Sequence, residues 1–490
     1  MSEIGDKSQR LKLGRVCVLG LGKTAVAAAE YLLGPARERV DHVVIYGGAK
    51  ATMGAAAKHL ESLGARVCVG TDELDEEFDL AIASPGIPPK SAFFQSAHKH
   101  SLELIGEPEF AWRESPERWI GITGTNGKTT TTTLTAHLME SAHEHAYTVG
   151  NIGTAAISKV DARPAGSWFV AELSSFQLEE TRLLHPHVAA LLNITPDHVE
   201  WHGSLEAYAA AKEKIFQNFS GQDLAVISEE DAWCQAIISR LEARGVNVCH
   251  VNVHRDPQTP YAAFAEDGML KLRDEAGTHE LARASELPLR GEHNVQNVLV
   301  ASMLALRSGV AIAAIQRGLA SFHALEHRIE PAGDIGGVHF VNDSKATNTD
   351  SVEKALTAFE PGHIVILLGG HDKMCDLTSM AEAVVARCSY AICFGEAKKR
   401  FTEALRDAGA VEAPAAGAAA AADADTDTCH LMEAAHLKDA FACALTVARP
   451  HDTVLLSPAC SSFDEFSNYE ERGRYFKDLV RDSAQRKERK

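Results

Sequence analysis

The 490-residue chain has no run of eighteen apolar residues, so no segment reads as a membrane-spanning helix and no membrane partner is expected. Its opening stretch, MSEIGDKSQR, lacks the apolar core of a secretory signal, and a cytoplasmic location is expected. Positive charge is in short supply: 48 Lys and Arg face 67 Asp and Glu, a formal net charge of −19. That balance speaks against duplex nucleic acid as a partner, while local basic pockets for phosphate remain open. No C-x-x-C pair occurs among the ten cysteines, and nothing beside Cys388 and Cys393 completes a zinc site, so they read as reduced packing thiols. H-E-x-x-H is also missing. His198 and His202 flank Val-Glu-Trp, but the acid stands one place late and Pro196 points to a loop, which disfavours a zinc protease; a single His ligating Mg²⁺ or a substrate oxygen fits better.

What is present suits a soluble globular protein, with 45% hydrophobic and 23% charged residues. The length is too great for one core. The chain reads as three α/β domains, 1–106, 107–324 and 325–490: an N-terminal Rossmann-like domain, a central phosphate-loop ATPase-like parallel sheet and a C-terminal Rossmann-like domain. In the first, a strand through Val16–Leu19 feeds Gly20-x-Gly22-x-x-Ala25 and a helix, the shape of a dinucleotide fingerprint. The acid that would hold a ribose after the second strand is missing, because Tyr46 and Gly47 stand there. A turn holding another diphosphate is therefore the better reading, and Ser84-Pro85-Gly86 supplies a second turn at the edge where ligands bind.

The central domain opens with WIGITGTNGKTTTTTLTAHLME, from Trp119 to Glu140. A strand, a Gly/Asn turn and a helix starting near Lys128 aim backbone N–H groups and partial positive charge at an anion. Gly127-Lys128-Thr129 matches the end of the phosphate-loop pattern, but Ile122 replaces its first glycine, leaving the shortened loop G-x-x-G-K-T from Gly124. Lys128 would neutralise phosphate and Thr129 would ligate Mg²⁺. Glu172, at the end of the strand in WFVAELSSFQLE, is a candidate for the same ion; an ordinary surface carboxylate is the competing reading. Lys212 lies mid-helix among Ala209, Ala210 and Ala211, and by itself reads as a solvated lysine. Asp343, Lys345 and Thr347 fall in a turn after the strand VHFVN. The Ala-rich stretch 413–428 reads as a solvated loop without chemistry.

Seven strings then occur in order: GITGTNGKTTTTTL, AELSSFQLE, LNITPDHVEWH followed by AAK, GEHNVQN, HRIE, NDSKATN and LLSPACSSFDEFSNYEERGRYF. Together, from about Arg15 to Phe476, they resemble the Mur ligases, three-domain ATP-dependent amide ligases of peptidoglycan synthesis. The D-glutamate-adding branch is the most similar, through LGLGKTA, ASPGI and SPACSSFDEF; the D-N-P-R string typical of the diaminopimelate- or lysine-adding branch is not found. The resemblance implies a UDP-N-acetylmuramoyl-L-alanine acceptor, D-glutamate as the incoming amino acid, ATP, two Mg²⁺ ions and a monomer. It implies that the first domain binds the UDP-substrate, the second ATP and the third the amino acid. Gly124, Thr125, Asn126, Gly127, Lys128, Thr129 and Thr130 would hold ATP phosphates, with Asn294, Asn297, Arg328 and Asp343 on the rest of the nucleotide. Thr129, Glu172, His198 and Lys212 would hold metal, Lys212 as a CO₂-derived carbamate. Lys128, His198, Lys212 and Lys345 carry the catalytic roles. Asn151 and Ser174 would meet the UDP-muramoyl substrate, and Thr347, Lys373 and Ser462 the D-glutamate. The chain departs from the resemblance at Tyr46-Gly47, where an acid for uridine is expected. Two other readings stay open: a related amide ligase of the folylpolyglutamate synthase kind, and a nonenzymatic nucleotide-binding partner, though the cysteine zinc cluster of such partners is absent.

Overall fold

The apolar runs of the sequence become the strands of three sheets in a computed structural model, which describes residues 12–197, 199–289, 291–322, 326–372, 374–413 and 428–488. The first sheet holds β1 (Gly14–Leu19), β2 (Val40–Tyr46), β3 (Arg66–Cys68), β4 (Phe78–Ala83) and β5 (Ser101–Gly106) in the order β3-β2-β1-β4-β5. All its pairings are parallel, as in a doubly wound nucleotide fold. The order reverses beside β1, so the Gly20 turn lies at the topological switch point.

The second sheet holds β6 (Trp119–Thr123), β7 (Ala146–Gly150), β8 (Trp168–Glu172), β9 (Val188–Leu191), β10 (Leu224–Ser228), β11 (Asn247–Asn252), β12 (Tyr261–Glu266), β13 (Met269–Asp274) and β14 (Gly277–Arg283). Its order is β14-β13-β12-β11-β10-β9-β6-β8-β7. The expected parallel sheet runs from β7 to β12, and an antiparallel meander, β12 to β14, extends one edge. Strands β6, β8 and β9 are buried throughout and read as unbroken apolar runs, the pattern of strands covered on both faces.

The third sheet holds β15 (Glu330–Ile335), β16 (Val338–Asn342), β17 (Ile364–Gly369), β18 (Tyr390–Phe394), β19 (Val411–Glu412), β20 (His430–Glu433) and β21 (Thr453–Ala459), in the order β15-β16-β21-β17-β18-β20-β19. Only the edge strand β15 is antiparallel among the described pairings.

The chain forms two compact units: Met1–Leu287 with Gln296–Phe322, and Pro288–Val295 with His323–Lys490. The first unit contains the first two sheets, and one hydrophobic cluster runs through both, from Val16 and Ile45 to Phe169 and Ile237. The helix Glu107–Glu114 stitches them together. Its Glu107 accepts the Ile157 N–H at 2.7 Å, and Glu109 accepts the N–H groups of Arg182, Leu183 and Leu184. Three orphan donors of one turn thus converge on a single buried carboxylate. Residue 106 therefore ends a sheet without ending a core.

Candidate active site

In the first unit, β6 runs into the turn 124–127 and then the helix Lys128–Glu140, as the opening motif predicts. Gly127 caps that helix at φ 83°, a left-handed conformation open to glycine at little cost, and a Cβ there would collide with Asn297 Oδ1. Five consecutive threonines are poor helix formers. Here Thr133 and Thr135 return their hydroxyls to the carbonyls of Thr129 and Thr131, at 2.9 and 2.7 Å, and Thr131 donates to Asn297 Oδ1 at 3.2 Å. Packing against its neighbours therefore overrides propensity in this helix.

Two lysines meet behind the turn. Lys128 Nζ donates to the carbonyls of Gly124 and Thr125 at 2.8 and 2.7 Å, and Lys212 Nζ donates to Gly124 O at 2.7 Å. Lys212 is 1% exposed, contrary to the solvated helix lysine that its sequence context suggests. Burial, then the charge of Lys128, pushes its amine well below the ordinary lysine range. Its Nζ also lies 4.5 Å from the centre of the Tyr208 ring. Glu172 closes β8 as expected. It is buried; its Oε1 accepts Asn151 Nδ2 at 2.8 Å, and its Oε2 has no hydrogen-bond partner among the described residues. An orphaned carboxylate oxygen of this kind suits a hard cation.

The turn itself is held by the segment after β9. Asn193 grips both sides of the Asn126 residue, its Oδ1 accepting N–H at 2.9 Å and its Nδ2 donating to C=O at 3.2 Å. Thr125 N donates to Asn193 O at 2.9 Å, and Thr195 N donates to Thr125 Oγ1 at 3.0 Å. Ser174 caps the helix Ser175–Glu179 in a reciprocal capping box with Gln177. His202 sits 2.9 Å from Ser175 Oγ, beside Trp201 and Phe176. At the edge of the first sheet, Tyr46 is buried and donates to Asp75 at 2.5 Å, while Asp72 Oδ1 accepts the Ala49 N–H at 2.7 Å just past Gly47 and Gly48.

In the second unit, the turn after β16 carries Asp343. It is buried and accepts Ser457 Oγ at 2.8 Å and Ile329 N at 3.3 Å; burial pushes its carboxyl up to about 7, against the nearby charge of Arg328. Lys345 Nζ stands 5.2 Å from the centre of the Tyr469 ring, and the half-buried Thr347 follows on the same turn. Ser462 is buried on the turn after β21. Near the start of the helix Glu292–Arg307, Asn294 is buried, and burial pulls the neighbouring His293 down to about 4.

Two family descriptions match the chain, "Mur ligase middle domain" over residues 122–305 and "Mur ligase, glutamate ligase domain" over residues 327–460. A protein of Acidobacterium capsulatum named UDP-N-acetylmuramoylalanine–D-glutamate ligase is 39% identical over 477 residues, covering 96% of this chain and 96% of that protein. The chain belongs to the Mur ligase family. A Koribacter versatilis protein of the same name is 35% identical over 486 residues, with 97% and 99% covered. Among solved Mur-type ligases, the pseudomurein peptide ligase type C of Methanothermus fervidus shares the fold at TM-score 0.58 and 15% identity, covering 96% of this chain and 99% of that one. MurF from Acinetobacter baumannii does so at TM-score 0.57 and 15% identity, with 90% of each chain covered. Mur ligases are ATP-dependent amide ligases, and this one is an acid–amino-acid ligase.

Of the residues expected from the sequence, the first unit brings Lys212 and Asn297 to the turn and helix start of Gly124 to Thr130, with Glu172 near enough for its charge to act on Lys212 and Asn151 bonded to Glu172. The second brings Arg328, Asp343, Lys345, Thr347 and Ser462 to one edge of its sheet. His198 and Lys373 lie outside the described residues, as do residues 414–427 of the Ala-rich stretch. Sequence reading missed Asn193 and Arg472. Asn193 stands inside LNITPDH, where an amide beside a phosphate loop was a usable signal; Arg472 sits in a charged helical run that reads as a solvated face.

Proposed function

We propose that this Mur ligase joins D-glutamate to UDP-N-acetylmuramoyl-L-alanine in peptidoglycan synthesis, with ADP and phosphate as the other products. The observation that carries this reading is identity of 35–39% over nearly the whole chain to relatives named for that reaction. In this reading residues 1–106 take the UDP-substrate, 107–324 ATP and 325–490 the amino acid. The ten cysteines are free, which supports a reducing compartment such as the cytoplasm. Among the described residues no helix is long and apolar enough to cross a membrane.

The carboxylate of the alanine attacks the γ-phosphorus of ATP, and ADP leaves, giving an acyl phosphate. The amine of D-glutamate attacks the acyl carbon, a proton is lost, and phosphate departs from the tetrahedral carbon to leave the amide. Both steps move negative charge without demanding a protein nucleophile, so the protein's part is placement and neutralisation. Lys128, whose Nζ rests on the Gly124 and Thr125 carbonyls of the turn, and the N–H groups of the helix start at Gly127 would take that task. Thr129, Glu172, His198 and a carbamylated Lys212 would hold the two Mg²⁺ ions. When bound, these ions neutralise charge on the phosphoryl oxygens. The orphaned Glu172 Oε2 supports that fit. Carbamylation needs an uncharged amine, and the burial of Lys212 beside Lys128 favours one. The carbamate would put an anion able to ligate a hard metal in the place of that amine.

Phosphate release tests the reading. With ATP, Mg²⁺ and UDP-N-acetylmuramoyl-L-alanine, D-glutamate is expected to start turnover, and a panel of other amino acids or a folate acceptor is not. Turnover with the folate acceptor and none with the UDP-substrate would favour a folylpolyglutamate synthase-like ligase.

A further inference from the structure

Arg472 is the fourth residue of the helix Tyr469–Glu488 and is 0% exposed. Its guanidinium makes four hydrogen bonds to two separate turns: Nε to Ser344 Oγ at 3.0 Å, Nη2 to Ser344 O at 2.8 Å and Cys460 O at 3.0 Å, and Nη1 to Ser461 O at 3.3 Å. None of these acceptors is a carboxylate. A third turn joins them, because His371 N donates to Ser461 O at 2.9 Å and a Cβ on Gly370 would stand 3.0 Å from Arg472 Nη1. Ser344 also donates to Tyr469 O at 2.8 Å, which ties the helix start to the same turn. The approach leaves no room for a side chain at the next position, where a Cβ on Gly473 would collide with His327.

These turns follow β16, β17 and β21, three adjacent strands, at one edge of the third sheet. Lys345 and Thr347 stand on the first turn and Ser462 on the last. A buried guanidinium has a desolvation cost that is recovered only if its donors are satisfied. Its planar fork is suited to spanning two backbones, which a lysine ammonium is not. Asp343, by contrast, is held independently by Ser457 and the Ile329 N–H. Loss of Arg472 should therefore loosen the outer turns more than the Asp343 end.

We infer that Arg472 is a positioning residue for the amino-acid substrate, clamping the turns at Ser344 and at Cys460–Ser461 in the geometry that recognises D-glutamate. The inference rests on the D-glutamate reading above.

The test is steady-state phosphate release by the full chain carrying Arg472→Lys, which keeps the charge but cannot bridge both turns, and by Ser344→Ala, which removes one acceptor without opening a large cavity. For Arg472→Lys the Michaelis constant for D-glutamate should rise roughly tenfold or more and the preference for D- over L-glutamate should fall. For Ser344→Ala the same change should be smaller, and in both variants the constant for ATP should move by less than about twofold. Equal movement of both constants, a fall in kcat alone, unchanged kinetics, or unfolding of both variants overturns the role. Wild type that turns over only with another amino acid overturns the functional reading instead; the same comparison is then made with that amino acid, so the two failures remain distinct.

Discussion

At the scale of single residues, Lys212 separates what a sequence shows from what a fold does to it. Among three alanines on a helix it reads as solvated, because helix periodicity does not reveal which face meets a phosphate turn from a distant strand. The fold buries it against Gly124 O, next to the ammonium of Lys128. As a surface lysine it would tolerate alanine, the better helix former. As a carbamate and metal ligand it would not. Lys212→Ala is expected to keep its circular dichroism spectrum and lose roughly 100-fold or more in kcat. Acetate should restore part of the rate by supplying oxygens in the vacated space, whereas Lys212→Arg should stay inactive. Full activity in the alanine variant would return Lys212 to a packing role.

At the scale of elements, the strands that end in the candidate turns were legible. The end of β2 at Tyr46, the strand VHFVN and the strand-turn-helix at Gly127 all lie where their apolar runs and glycines put them. The meander β12 to β14 was not. Burial falls across it, from the mostly buried β12 through the half-buried β13 to the mostly exposed β14, and antiparallel pairing at a sheet edge leaves little trace in composition. The amide of Asn193 inside LNITPDH was a signal, but its pairing with Asn126 was not legible, since 67 residues separate the partners. That grip fixes one residue of the turn 124–127 through the peptide groups on both its sides. Asn193→Ala leaves a donor and an acceptor of the turn unpaired, costing about 1–3 kcal/mol of its order. The Michaelis constant for ATP should rise about tenfold or more while that for D-glutamate stays near wild type, measured by the same phosphate assay. A normal ATP constant would show that the turn keeps its shape without this amide.

At the scale of the whole molecule, the first two sheets share one core, and a buried carboxyl sits where they join. Glu107 accepts the Ile157 N–H through one oxygen, while the other has no partner among the described residues. Burial pushes its carboxyl from 4.5 up to about 7, against the Ile157 and Ala156 backbone groups that pull it down. The folded state then holds this proton more tightly than the unfolded chain does. Stability from Glu107 is therefore fully present below the unfolded value near 4.5 and is lost as pH rises towards about 7. Above that, the folded protein carries a desolvated anion between its first two sheets. Glu107→Gln mimics the protonated acid in shape and cannot ionise. Calorimetry should find the variant more thermostable than wild type at pH 8, by roughly 2–4 °C, with the gap closing near pH 5. Asp343, also buried with its carboxyl up to about 7, pushes wild type in the same direction from the second unit, so both proteins should lose stability above neutrality and the variant should lose less. Melting temperatures that run parallel from pH 5 to pH 8 would mean that Glu107 does not titrate between its folded and unfolded values in that window.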